Sequence, residues 1–129
     1  MILVDTSVVI DYTRSADARL FALFQTHDAA ITGIVRAEVL HGSRDPVHRT
    51  RLVAALNCFR QEAIPATLWD TIGDHLCALR SRGVSVPFND VVLATLAMHL
   101  TCEFWTRDNQ FALIQSVLPQ LRLFVEPQP

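Results

Sequence analysis

The segment Ile2-Leu3-Val4-Asp5-Thr6-Ser7-Val8-Val9-Ile10 sets the frame for everything downstream. Three consecutive apolar residues, without polar alternation, suit a strand covered on both faces, as in a parallel sheet. Asp5-Thr6-Ser7 then supplies side-chain oxygens of the kind that start helices, and Val8-Val9-Ile10 can continue one. A strand that runs straight into a helix is the opening half of a β-α-β unit.

The same alternation recurs along the chain. Ala29-Ala30-Ile31 is a second expected strand, and Thr32-Gly33 opens a helix that Gly42 can end. Asp45-Pro46 begins another helix, with Leu52, Ala55, Leu56 and Phe59 on its inner face. Ala63-Ile64-Pro65 is a third expected strand. Leu68, Ile72, Leu76 and Leu79 form an apolar stripe on a helix that stops at Gly83. Val91–Leu100 is apolar nearly all round and is expected as a buried helix. Glu103–Thr106 reads as a strand, Phe111–Val117 as a short helix, Leu121–Val125 as a last strand, and Pro127–Pro129 as a frayed end. Strands alternating with helices predict an α/β fold, a three-layer α/β/α sandwich around a mostly parallel sheet. With 129 residues and no linker or internal repeat, one domain over residues 1–129 is expected.

Composition narrows the function. Half the residues are apolar, enough for a core without disulfides or structural metal. No secretory signal or membrane-spanning stretch is expected, so the protein is placed in the cytoplasm. Cys58, Cys77 and Cys102 lie far apart among apolar neighbours and are expected as buried, reduced thiols. A net charge of −2 argues against a protein that coats nucleic acid indiscriminately. All eleven basic residues are arginine, so P-loop, Schiff-base and lysine-base chemistries are absent. A receiver-type phosphoacceptor, which needs a lysine, is thereby excluded. A dehalogenase-type phosphatase is excluded too, because no second aspartate stands two residues after Asp5.

Four acidic residues stand out. Asp5 and Asp108 each follow an expected strand, where open α/β sheets bind their ligands. Glu38 lies within an apolar helical segment, and Asp90 stands at the entrance to the most apolar helix. Each has an ordinary alternative: a cap for Asp5 and Asp90, a solvent-facing stripe for Glu38, a turn for Asp108. Brought together, four carboxylates would repel unless a hard cation such as Mg²⁺ joined them. The five histidines are scattered, and zinc is not indicated.

Asp5-Thr6-Ser7 with Asp11, Ala37-Glu38, Asp90 opening Asp-Val-Val-Leu-Ala-Thr-Leu-Ala, and Thr106-Arg107-Asp108 with Phe111 resemble the PIN domain. Within it they resemble the VapC-type toxins of toxin–antitoxin systems. The likeness extends from residue 1 to about 125 and rests on four segments in order rather than on any one of them. It implies a metal-dependent endoribonuclease that hydrolyses RNA phosphodiester bonds. Asp5, Glu38, Asp90 and Asp108 would be catalytic and hold Mg²⁺, with Mn²⁺ able to replace it. Thr6 and Thr106 would support those carboxylates. Products with 5′-phosphate and 3′-hydroxyl ends are implied, as are a VapB-type antitoxin partner and a homodimer. Arg36, Arg44 and Arg107 are candidate RNA contacts. Phe21, Phe24 and Leu40 are candidates for an antitoxin groove. The alternative is a PIN-fold module that binds RNA or protein without cleaving it.

Overall fold

The structure, a computed structural model, describes residues 1–128. Of the frayed end expected over Pro127–Pro129, Pro129 lies outside the described residues. The chain divides into two compact units, Met1–Ala63 and Ile64–Pro129.

In the first unit, β1 (Ile2–Val4) leads into α1 (Thr6–Ser15) and α2 (Ala18–Thr26), then β2 (Ala29–Thr32), α3 (Gly33–His41), α4 (Pro46–Leu56) and β3 (Arg60–Glu62). β2 pairs in parallel with both β1 and β3, in the registers Leu3 with Ala30 and Ile31 with Gln61. Ile2, Leu3 and Val4 are all buried, as the unbroken apolar run requires. Each such side chain withdraws enough apolar surface to contribute about 1.5–3 kcal/mol. Parallel pairing puts the carboxyl ends of β1 and β2 on one edge, so Asp5 and the start of α3 emerge there together. Thr32 caps α3, its hydroxyl accepting from the Val35 N–H. Asp45 caps α4 in the same way, accepting from the His48 N–H at 2.7 Å.

The third strand is Arg60–Glu62, not Ala63–Pro65. Its side chains are polar and largely exposed, so apolar patterning could not mark it. Backbone pairing with β2 defines it, and Pro65, which lacks an N–H, cannot extend that ladder.

The second unit holds a 3₁₀ turn (Ala66–Leu68), α5 (Trp69–Ser81), α6 (Phe88–His99), β4 (Glu103–Trp105) and α7 (Gln110–Val117). Residues Val91 to Ala97 of α6 are buried without a break. The one polar member, Thr95, is 1% exposed and meets His75 Nδ1 of α5 at 2.8 Å. Phe104 packs on Phe111 and Trp105 on Phe124. The strand expected over Leu121–Val125 reduces to one bridge, Phe104 with Leu123. Two backbone bonds make it: the Phe104 N–H to the Arg122 carbonyl, and the Phe124 N–H to the Phe104 carbonyl.

Two of the three thiols depart from expectation. Cys102 is buried, but Cys58 and Cys77 are exposed. Cys77 lies two residues before the inward-facing Leu79, which at about 100° per residue turns it to the opposite face of α5. Among the described residues, no helix is long and apolar enough to cross a membrane.

Candidate functional site

Of the four candidate acids, Asp5 and Glu38 lie in the first unit, Asp5 where β1 ends and Glu38 on α3. Asp5 occupies the N-cap position of α1, yet its side chain makes no capping bond. The carboxylate is buried, 5% exposed, and its Oδ2 accepts from the Ser7 hydroxyl at 2.8 Å. The ordinary explanation for Asp5, a helix cap, therefore fails. Glu38 is exposed on α3, and its Oε1 accepts from the Thr6 hydroxyl at 3.1 Å. This bond ties the start of α1 to α3. Ser7 holds the buried carboxylate directly. Sequence reasoning gave it no separate part, although its place beside Asp5 was the available signal.

In the second unit, Asp90 lies in the first turn of α6, which begins after Pro87. Neither Asn89 nor Asp90 is the N-cap, but a carboxylate in the first turn is favoured by the helix dipole. Its Oδ2 is shut off from solvent. Asp108 is half-buried in the turn after β4. Its N–H donates to the Thr106 hydroxyl, and its Oδ1 accepts from the Gln110 N–H, both at 3.0 Å. The turn reading of Asp108 is thus true, and one of its oxygens serves the start of α7. The Thr106 hydroxyl accepts the Asp108 N–H and so holds that turn.

The proposed donors are all oxygens, as Mg²⁺ prefers. Among the described residues, no group of three or more His, Cys, Asp or Glu side chains is gathered tightly enough to hold a metal ion. Mg²⁺ keeps several of its waters and takes one or two carboxylates together with substrate phosphate, so a closed protein cage is not its requirement. The donor chemistry fits that ion.

The candidate RNA-binding arginines differ in their engagements. Arg36 donates to Asn57 Oδ1 at 2.8 Å and to Gln61 Oε1 at 3.5 Å. Arg107 makes a two-pronged pair with Glu126, at 2.7 and 2.8 Å, which neutralises its charge. Arg44 lines a cavity of about 630 Å³ in the first unit, together with Arg14, His48 and Arg51. Nothing in the sequence marked Arg14. A second cavity in that unit, of about 320 Å³, is lined by Tyr12, Phe21, Phe24 and Phe59. Leu40 does not line it.

Residues 2–116 match the family model of the PIN domain. The chain belongs to the PIN domain family, and its α/β fold with parallel strands is the fold class expected from the sequence. It is similar to VapBC2 from Rickettsia felis, solved bound to a DNA fragment from its promoter: 20% identity, TM-score 0.83, covering 96% of this chain and 98% of that one. VapBC-1 from nontypeable Haemophilus influenzae follows at 17% identity and TM-score 0.77, covering 96% and 97%. VapC20 from Mycobacterium tuberculosis, described as a sarcin-ricin loop cleaving toxin, has 19% identity and TM-score 0.65, covering 87% and 93%. No curated protein is a significant match.

Proposed function

We propose that this protein is a metal-dependent endoribonuclease acting as the toxin of a toxin–antitoxin pair. The observation that carries the reading is the Asp5 carboxylate. In a chain of the PIN domain family, it is buried at the carboxyl end of β1 and is not spent on capping α1. A hard cation takes oxygen donors of this kind, and its charge would offset the cost of burying the carboxylate.

Asp5, Asp90 and Asp108 would hold Mg²⁺ or Mn²⁺, with Glu38 completing the set. When bound, the ion supplies charge neutralisation at the scissile phosphate and a more acidic water. The chain's own part is positioning. Ser7 fixes one oxygen of Asp5, and Thr6 fixes one oxygen of Glu38. The Gln110 N–H fixes one oxygen of Asp108, whose second oxygen can reach a ligand without releasing α7. Such fixed carboxylates need little reorganisation when charge develops.

The partner reading rests on the likeness to VapBC assemblies and on the aromatic cavity around Phe21, which is 39% exposed. An apolar face of a VapB-type antitoxin would cover it, with the toxin as a homodimer.

The test is incubation of purified protein with structured and unstructured RNAs in Mg²⁺ or Mn²⁺, and again in EDTA. Cleavage that needs the ion and is lost in both Asp5→Asn and Asp90→Asn is expected. Cleavage that persists in EDTA would refute the metal reading. Binding of RNA or antitoxin with no cleavage under any condition would favour a non-catalytic module.

A further inference from the structure

The larger cavity of the first unit has a charge character that the chain as a whole lacks. The protein is net negative, yet the cavity lined by the last turns of α1 and α3 and by α4 carries three guanidinium groups and an imidazole, and no carboxylate. Arg14, Arg44 and Arg51 make no ion pair among the described residues, in contrast to Arg60 and Arg107, each paired with an acid. Asp45, the nearest acid in sequence, has its Oδ1 turned to the His48 N–H. His48 is also oriented. Its Nδ1 accepts from the Arg44 N–H at 3.1 Å, which leaves the ring proton on Nε2 as a donor.

Three like charges around one cavity repel, and an anion between them removes that cost. Along α3 the lining starts at Val39, the residue after Glu38, and along α1 at Ile10, one turn beyond Thr6. Tyr12 adds an aromatic ring to its wall, held in place by Phe21, stacked at 6.4 Å, and Phe24, edge-on at 5.2 Å. An extended polymer of phosphates separated by bases matches this lining better than a compact anion does.

We propose that this groove binds the backbone of single-stranded RNA, with Arg14, Arg44 and Arg51 contacting phosphates that flank the scissile one. The proposal rests on the nuclease reading for its choice of polymer, but its test does not require cleavage. A fluorescein-labelled, fully 2′-O-methylated single-stranded oligonucleotide is titrated in EDTA, and anisotropy is followed at several salt concentrations. Removing one phosphate contact lowers the slope of log K against log salt by about 0.7 for a single strand. Arg14→Ala and Arg51→Ala are each expected to lower the slope by that amount. Arg51→Lys, which keeps the charge, is expected to retain it. Arg49→Ala, on the same helix but outside the groove lining, is expected to leave it unchanged. Circular dichroism of each variant confirms the fold. Equal slopes in all variants, or no binding of the oligonucleotide, would overturn the proposal. So would displacement of the oligonucleotide by a glutamate-rich peptide at lower charge concentration, which would assign the groove to a protein ligand. Loss of catalysis with intact binding would count against the nuclease reading and leave the groove standing.

Discussion

Asp5 shows how one side chain separates activity from stability. Its carboxylate is buried, receives a hydroxyl from Ser7, and does not cap the helix it precedes. Replacing it with asparagine keeps an oxygen for Ser7 and removes a buried charge. Asp5→Asn is therefore expected to leave the thermal midpoint unchanged or raised while RNA cleavage falls at least 100-fold, on the order seen when a preorganised charge is lost. Differential scanning calorimetry beside a cleavage assay checks both halves. His75 carries the second residue-scale expectation. Burial pushes its imidazole below the usual value of 6.5, with Asp74 pulling the other way. In the unfolded chain the ring takes up a proton near 6.5, whereas in the fold it stays neutral to lower pH. The unfolded state thus binds more protons, and stability falls as pH drops below about 6.5. His75→Gln, which can still bond to Thr95, is expected to flatten that part of the stability–pH curve measured by urea unfolding.

At the scale of elements, α3 matters because it carries Glu38 and is started by a buried hydroxyl. Thr32 is fully buried and caps α3 through the Val35 N–H. Thr32→Ala is expected to cost about 1 kcal/mol in chemical denaturation, and Thr32→Ser to recover most of it. The elements also show what the sequence could and could not reveal. β1, α3 and α6 were legible because burial dictates their composition: three apolar residues for a covered strand, and an unbroken apolar run for a central helix. β3 was not, because Arg60, Gln61 and Glu62 are held by main-chain bonds to β2 that leave no mark on side-chain choice. The segment after α7 misled for the converse reason: Leu121–Val125 has the composition of a strand but meets a partner only at Phe104. At the candidate site, that Asp5 follows β1 and that Asp90 opens α6 could be read from the residues beside them. The Thr6–Glu38 bond could not, since it joins residues 32 apart.

Across the whole molecule, exposure rather than composition governs reactivity. The three thiols were expected inside, yet two are at the surface. Titration of the native protein with a thiol reagent is expected to modify Cys58 and Cys77 promptly, and Cys102 only after unfolding. Mass spectrometry of the digested product assigns the sites. Charge is distributed unevenly as well: a chain of net −2 keeps Arg14, Arg44 and Arg51 on one groove while Arg107 is spent on Glu126. Net charge alone therefore does not show where the positive side chains gather.

The proposed reaction is hydrolysis of RNA by water at a carboxylate-held ion, without help from the substrate's own 2′-hydroxyl. The chemistry of the fragment ends reports on it directly. RNA cut in Mn²⁺ is expected to carry 5′-phosphate and 3′-hydroxyl ends, with none formed by Asp5→Asn. Fragments ending in a 2′,3′-cyclic phosphate, formed equally in EDTA, would instead show attack by the 2′-hydroxyl without an ion.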